Sequence, residues 1–327
     1  MKALVVTNMY PSEERPHWGA FVRSQVESLA ALGVEPHVYE IQGWRTHAAY
    51  ARALWEVPRV LQHVGADLVH AHYGLSGIAA WRVTGVPLVV SFCGDDLLGR
   101  PDGTGRITTA SGRMIALSKM AAKRAEATIV KSAEMRRVIR DVPDVEVIPN
   151  GVDLVAFAPL PRAEARARLG WAESEQVLLF AGDPKEPRKN WRLAEETRTQ
   201  LERRGLTTRL VAVHGRPQPE LALAMNGADV LLLPSFHEGS PNVVKEAMAV
   251  NLPVVAAPVG DCVERLAGVA PGAVVARDAQ AFTAAAEAVL RAGVRSNGRE
   301  RVRPLELSVV ARRVLAVYER ALTRLRT

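Results

Sequence analysis

The chain has 327 residues, 48% of them hydrophobic, with 42 Lys/Arg against 35 Asp/Glu and a formal net charge of +7. That size suits two domains of ordinary dimensions with full cores, and no long disordered tract is visible. Two widely separated cysteines, Cys93 and Cys262, offer neither a disulfide framework nor metal-knuckle spacing and favour a reducing compartment. The basic excess lies almost wholly in the second half. It suits an anionic ligand (nucleic acid, an anionic membrane surface or a phosphorylated metabolite) or a plain solvated arginine-rich surface.

In chain order, the opening MKALVVT turns polar at Thr7, too soon for a signal-peptide core or a membrane span. No other segment is long and apolar enough to cross a bilayer. The expected location is cytoplasmic, with peripheral contact at the inner face of the membrane left open. Strands are predicted at 3–7, 36–41, 67–72, 87–92, 127–132 and 145–150, with helical spacing between most of them. Phe21, Val22, Val26, Leu29 and Leu32 share one helix face, and Gly33 stands where a left-handed C′ residue ends it. The turn-rich NGVDLVAFAPLPRAEAR reads as a linker. Strands resume at 176–182, 209–215, 229–235, 253–259 and 272–277. A long amphipathic helix closes the chain, apolar at 310, 314, 317, 318, 321 and 325. Strands alternating with helices predict two doubly wound α/β domains, 1–155 and 156–327, around a cleft. No short-period repeat is present.

The densest pattern is HEGSPNVVKEAMA at 237–249. It follows a predicted buried strand, so His237 to Asn242 fall at a carboxyl end. Ser240-Pro241 reads as N-cap and N1 of a helix, which would leave the amides of Asn242, Val243 and Val244 facing an anion. Glu246 then lies roughly 9 Å along the axis at about 1.5 Å per residue, too far to act on the same atom as Glu238. Two carboxylates so spaced suit an extended ligand, a sugar joined through phosphate to another sugar. A capped surface helix with a solvated Glu246 is the plain alternative.

In this stretch the chain resembles the retaining GT-B glycosyltransferases of the group 1, family 4 class, whose Glu-x7-Glu motif matches Glu238 and Glu246. The pieces GAFVRSQVESLAALG, DLVHAHYGLSG, PLVVSFCGDDLLG, ATIVKS and VIPNGVD agree in order. The resemblance spans nearly the whole chain. It implies that Glu238 binds donor-sugar hydroxyls, that Glu246 binds the ribose, and that the backbone of Gly239, Ser240, Pro241, Asn242 and Val243 holds sugar and diphosphate. Gly19 matches the loop glycine beside the donor phosphate. Lys189 matches the family's diphosphate lysine. Asp183 stands in the place of its arginine, and the adjacent Arg188 is the expected substitute. Lys189, Arg188 and Glu238 are thus the expected catalytic group, while His72, Cys93 and Asp96 fall on the acceptor side.

Cys93 occupies the family's usual histidine position, and Asp96 keeps the family aspartate. His70 and His72 have the period-two spacing of a metal pair without a third ligand nearby, so no metal site is expected. Between Arg209 and Ser235 the second domain is short by about one strand–helix unit. The final helix, 308–327, is placed to cross back to the first domain. The resemblance implies hexosyl transfer from a UDP- or GDP-linked sugar to a hydroxyl of a glycan, lipid-linked or small-molecule acceptor, with retention and with no cofactor. The rivals are a sugar-nucleotide epimerase, a catalytically silent sugar-nucleotide-binding subunit, and a nucleic-acid binder. The last lacks an aromatic-interleaved basic patch.

Overall fold

The computed structural model describes residues 1–15, 17–102 and 104–326, with no account of the side chains of the last two; the apolar position at Leu325 therefore lies outside the described side chains. The chain divides into two compact units. One comprises Met1–Arg100, Ile107–Gly151 and Leu307–Thr327; the other comprises Pro101–Arg106 and Val152–Glu306.

The first unit is built on β1 (Lys2–Thr7), β2 (Glu35–Glu40), β3 (Leu68–His72), β4 (Leu88–Ser91), β5 (Ala127–Val130) and β6 (Val145–Val147). All pair in parallel in the order β2-β1-β3-β4-β5-β6. Both faces of this sheet are covered, which is why ALVV carries no polar alternation. Leu4 and Val6 join a core that includes Ala53, Val57 and Leu61 of the helix Ala48–Val64, while Val5 packs with Val22 and Val26 of the helix Ala20–Ala30. Gly33 ends the latter segment at φ 86°. Gly19, which precedes it, has φ 73°, and a Cβ there would lie 2.3 Å from the Met9 carbonyl oxygen. Only glycine fits where the loop after β1 crosses the helix start.

The closing helix, Leu307–Arg326, belongs to this unit. Tyr318 is fully buried beside His70, and Arg320 reaches Glu146 at 2.8 Å.

The second unit carries β7 (Gln176–Ala181), β8 (Thr208–Val213), β9 (Val230–Leu233), β10 (Val254–Ala256) and β11 (Ala273–Val274), parallel in the order β11-β10-β9-β7-β8. All eleven strands expected from the sequence form. One strand joins β7 to β9 along the chain, leaving β8 as the outer strand of a five-stranded sheet. In both sheets the chain winds to opposite sides of the first strand. The switch points, where such sheets receive ligands, are therefore the carboxyl ends of β1/β3 and of β7/β9.

The segment expected to be a linker is instead part of the second unit. Phe157 is 1% exposed, and the Arg299 guanidinium donates to the carbonyls of Leu154, Phe157 and Ala249 at 2.8–2.9 Å. Turn chemistry and prolines gave the right local conformation but no sign of the guanidinium that ties it down.

Candidate functional site

At the β7/β9 switch point, the chain leaves β7 through Gly182 and Asp183 into a single 3-10 turn, Pro187–Lys189. That turn delivers two cations to one carboxylate. Lys189 Nζ lies 2.8 Å from Glu238 Oε1, Arg188 Nη1 lies 2.7 Å from Glu238 Oε2, and the Ser235 hydroxyl donates to Oε1 at 2.9 Å. The two loops are also joined through the backbone, since Phe236 N–H donates to the Arg188 carbonyl at 2.9 Å and Arg188 Nη1 donates to the His237 carbonyl at 3.0 Å.

Burial alone would push the Glu238 carboxyl up, but Lys189, Arg188 and the hydrogen bonds hold it at about 2, below its ordinary 4.5. The sign follows: the stabilisation is fully present above the ordinary value and is lost as pH falls through about 2.

Arg188 thus stands beside Lys189 on the same carboxylate. Asp183 is turned to a different task, its Oδ1 accepting the Lys185 N–H at 2.9 Å to shape the turn.

The helix that follows runs Asn242–Ala249 and differs from expectation at its start. Ser240 does not cap it. The buried Ser240 hydroxyl accepts from Lys245 Nζ at 3.0 Å and donates to Asp261 Oδ2 at 2.9 Å, while Pro241 takes the cap position. The Val244 N–H is bonded back to the Pro241 carbonyl at 3.3 Å, so the expected set of three open amides does not form. A lysine five residues on and an aspartate on a remote loop outcompeted the cap, and nothing local to GSPN announces either.

Glu246 lies half-buried in this helix, and burial raises its carboxyl to about 7 although Lys245 and Lys189 oppose the shift.

Three supports escaped sequence reasoning. Arg277, just beyond β11, donates to the carbonyls of Ser235 (2.9 Å) and Phe236 (3.2 Å), fixing the loop that carries Glu238. Gly260, at φ 56°, brings its loop so close that a Cβ would lie 2.7 Å from the Gly239 carbonyl oxygen. Ser235 itself is wholly buried. An arginine after a β-branched strand and a glycine before an aspartate were the available signals, too common to single out.

In the first unit, Asp96 is wholly buried and its carboxylate accepts from the N–H groups of Cys93 (3.0 Å), Gly94 (2.9 Å) and Gly74 (3.1 Å). It organises two loops at the ends of β3 and β4 and is not an open acceptor-side group; its lone pairs are spent on backbone. Burial and Asp95 raise it to about 7. The buried Lys131, at the end of β5, contributes positive charge in the same cluster.

His70 is saturated, with Tyr318 Oη at 2.6 Å and Ser91 Oγ at 2.7 Å, and so is closed to a metal. His72 is 1% exposed with its ring 4.2 Å from that of His70, which places it in the core rather than at an acceptor surface. Two polar residues in an otherwise apolar strand suggested a site; buried side-chain partners from β4 and the last helix explain His70 instead.

Cys93 is half-buried, and burial with the Asp96 charge pushes its thiol well above the ordinary value. It remains a neutral thiol, unsuited to proton transfer. Cys93→Ser and Cys93→Ala are expected to keep transfer within about tenfold, a barrier change of about 1.4 kcal/mol. Abolished transfer with donor affinity intact in Cys93→Ser would show that the thiol takes part in chemistry.

Two parallel-sheet α/β units, the second with a charged cluster at its switch point, define a protein of the GT-B fold, and comparisons agree. Sucrose-phosphate synthase from Thermosynechococcus elongatus superposes with a TM-score of 0.79 at 20% identity, covering 99% of both chains. HepE of Anabaena, solved with UDP-glucose, gives 0.69 at 15% identity over 98% of this chain and 100% of its own. The Glycosyltransferase Family 4 family matches residues 3–155, and Glycosyl transferases group 1 matches residues 150–292. Together the two matches run almost end to end, and each half of the chain is similar to the corresponding domain of these glycosyltransferases. A D-inositol 3-phosphate glycosyltransferase of Segniliparus rotundus is 31% identical over 59% of this chain and 51% of its own length. The matched region spans about half the length of the first such relatives.

Proposed function

We propose that the chain transfers a hexosyl group from a nucleotide diphosphate sugar to an acceptor hydroxyl with retention at the anomeric carbon. The observation that carries this reading is the pair Lys189 and Arg188 converging on Glu238 at the β7/β9 switch point. Cations gathered by a carboxylate are preorganised: an arriving diphosphate meets positive charge already in position, with no side chain left to order. As the bond to the anomeric carbon breaks, negative charge grows on the leaving phosphate. Lys189 and Arg188 stabilise it there, and Glu238, freed from part of the ion pair, accepts sugar hydroxyls. Glu246 takes the ribose diol. The backbone from Gly239 to Val243 completes the donor contacts.

A UDP-linked donor is favoured by the HepE complex with UDP-glucose. The acceptor belongs to glycan, lipid-linked or small-molecule classes in cell-envelope or secondary-metabolite glycosylation. Among the described residues no helix is long and apolar enough to cross a membrane, and the proposed setting is the cytoplasm, with peripheral contact at the inner membrane face.

Calorimetry over a panel of UDP- and GDP-sugars is expected to single out one donor, with nucleotide released only when acceptor is present. Nucleotide sugar interconverted without acceptor would mark an epimerase, and binding without turnover a silent subunit. Transfer is expected to survive a chelator, because charge on the leaving group is met by side chains. Loss on chelation with rescue by magnesium would overturn that part of the mechanism.

A further inference from the structure

The outer edge of the second sheet takes no part in the proposed donor site. Among the described residues β8 pairs with β7 alone, so one row of its backbone N–H and C=O groups faces outward. An open edge is a template for another strand, and proteins usually blunt it. The other three sheet edges here are blunted. β2 begins and ends on glutamate and carries Pro36, which has no N–H. β6 has three residues and gives its Val147 carbonyl to Arg313 at 2.7 Å, and β11 has two residues. β8, TRLVAV, has six residues with one charge and no proline.

Both faces beside that edge are apolar and partly open. The register puts Leu210 on the face of Phe180, whose ring centroid is 4.9 Å from that of Trp191; Leu210 and Trp191 line a groove of about 380 Å³. On the opposite face, Arg209 lies 5.6 Å from the Trp171 ring centroid, and Trp171, Val213 and Leu223 line a second groove of about 380 Å³. A strand added outside β8 would lay alternate side chains into the two grooves while its backbone completes the edge.

Charge selects a second copy of this chain as the occupant. One Arg–Glu pair stands at each end of the strand: Arg209 with Glu175 at 3.3 Å where it begins, and Arg216 with Glu220 at 3.6 Å beyond its finish. Arg209 and Glu220 both belong to the Trp171 face. An antiparallel copy brings the beginning of one β8 to the end of the other, so Arg209 meets the partner's Glu220 twice over. A parallel copy would set arginine against arginine. Surface ion pairs contribute little within a chain, so exchanging partners across an interface costs little.

We infer that β8 is a homodimer interface. Two copies pair antiparallel along this strand about a two-fold axis near Leu210 and Val211, joining two five-stranded sheets into one continuous sheet. The interface stands whether or not the transferase reading does.

Sedimentation of the full chain over a range of micromolar concentrations is expected to show a monomer–dimer equilibrium. Hydrogen exchange at 208–213 is expected to slow as dimer accumulates, a readout that needs no variant. Arg209→Glu and Glu220→Arg are each expected to weaken the dimer about tenfold or more, because each sets like charges face to face. An equal mixture of the two variants is expected to restore it, since both contacts of the mixed dimer are again opposite in sign. A chain that stays monomeric leaves the edge to a strand of another protein, or to none, and overturns the inference. So does a dimer that forms with exchange at 208–213 unchanged, or a mixture that associates no more tightly than either variant alone.

Discussion

Lys189→Ala will lower kcat/KM for transfer by about 10²–10³, the scale expected when one preorganised group at a developing anion is removed. Arg188→Ala will approach the same loss, because both cations contact the two oxygens of one carboxylate, at 2.7 and 2.8 Å. Asp183→Ala will not, since its side chain shapes a turn. A second readout separates a charge effect from a folding effect. Glu238 stays ionised down to about 2 because the cations offset its burial. With Lys189 gone the burial contribution is opposed by less, so its carboxyl rises and the acid limb of the pH–rate profile moves to higher pH. A silent Arg188→Ala variant would leave a single-lysine clamp and strengthen the case for a non-catalytic binding protein. An acid limb that does not move in Lys189→Ala would separate Glu238 from the rate.

The second large effect falls on nucleotide affinity. Glu246→Ala is expected to weaken binding of the nucleotide diphosphate by about 1.5–3 kcal/mol, the range for hydrogen bonds to a charged group. The pH dependence makes the assignment specific. Burial raises the free carboxyl to about 7, above its ordinary 4.5. Ribose hydroxyls donate to the ionised form, so binding favours ionisation and releases a proton. Affinity therefore increases as pH rises through about 7 and levels off above it, whereas below it binding must first deprotonate the acid. Phosphate ionisation of the nucleotide contributes in the same range, and Glu246→Gln isolates the protein's share: its profile should retain the phosphate contribution alone. Identical pH profiles for wild type and Glu246→Gln, measured calorimetrically, would remove Glu246 from the ribose.

The basic excess acquires a different meaning once side chains are placed. Arg166, 1% exposed, donates to the carbonyls of Gly227, Ala172, Glu173 and Glu175 and pairs with Asp229 at 2.7 Å. Arg295 donates to the carbonyls of Met225, Asn226 and Ala228. With Arg299 and Arg277, these residues use their guanidinium forks to join loops of the second unit. These four arginines are scaffolding rather than an electrostatic lure.

The sequence by itself determined the two parallel sheets and their strands. ALVV, LVV and VLLL are apolar without alternation because each strand is covered on both faces, and the intervening helices have 3.6-residue periodicity. It also determined Gly33 as a helix end and the carboxyl-end position of the HEGSPN loop. These depend on neighbours along the chain or on a motif of fixed spacing. What only the tertiary structure decided involves partners far away in sequence. Ser240 turned from the helix cap to Asp261, 21 residues on, and His70 was closed to metals by Tyr318, 248 residues on. Asp96 was drawn inward by the amide of Gly74 as well as those beside it, and the presumed linker was fixed by Arg299. A side chain's chemistry is legible from its type, but which remote donor or acceptor satisfies it depends on packing, and a satisfied polar group has little left to offer a ligand.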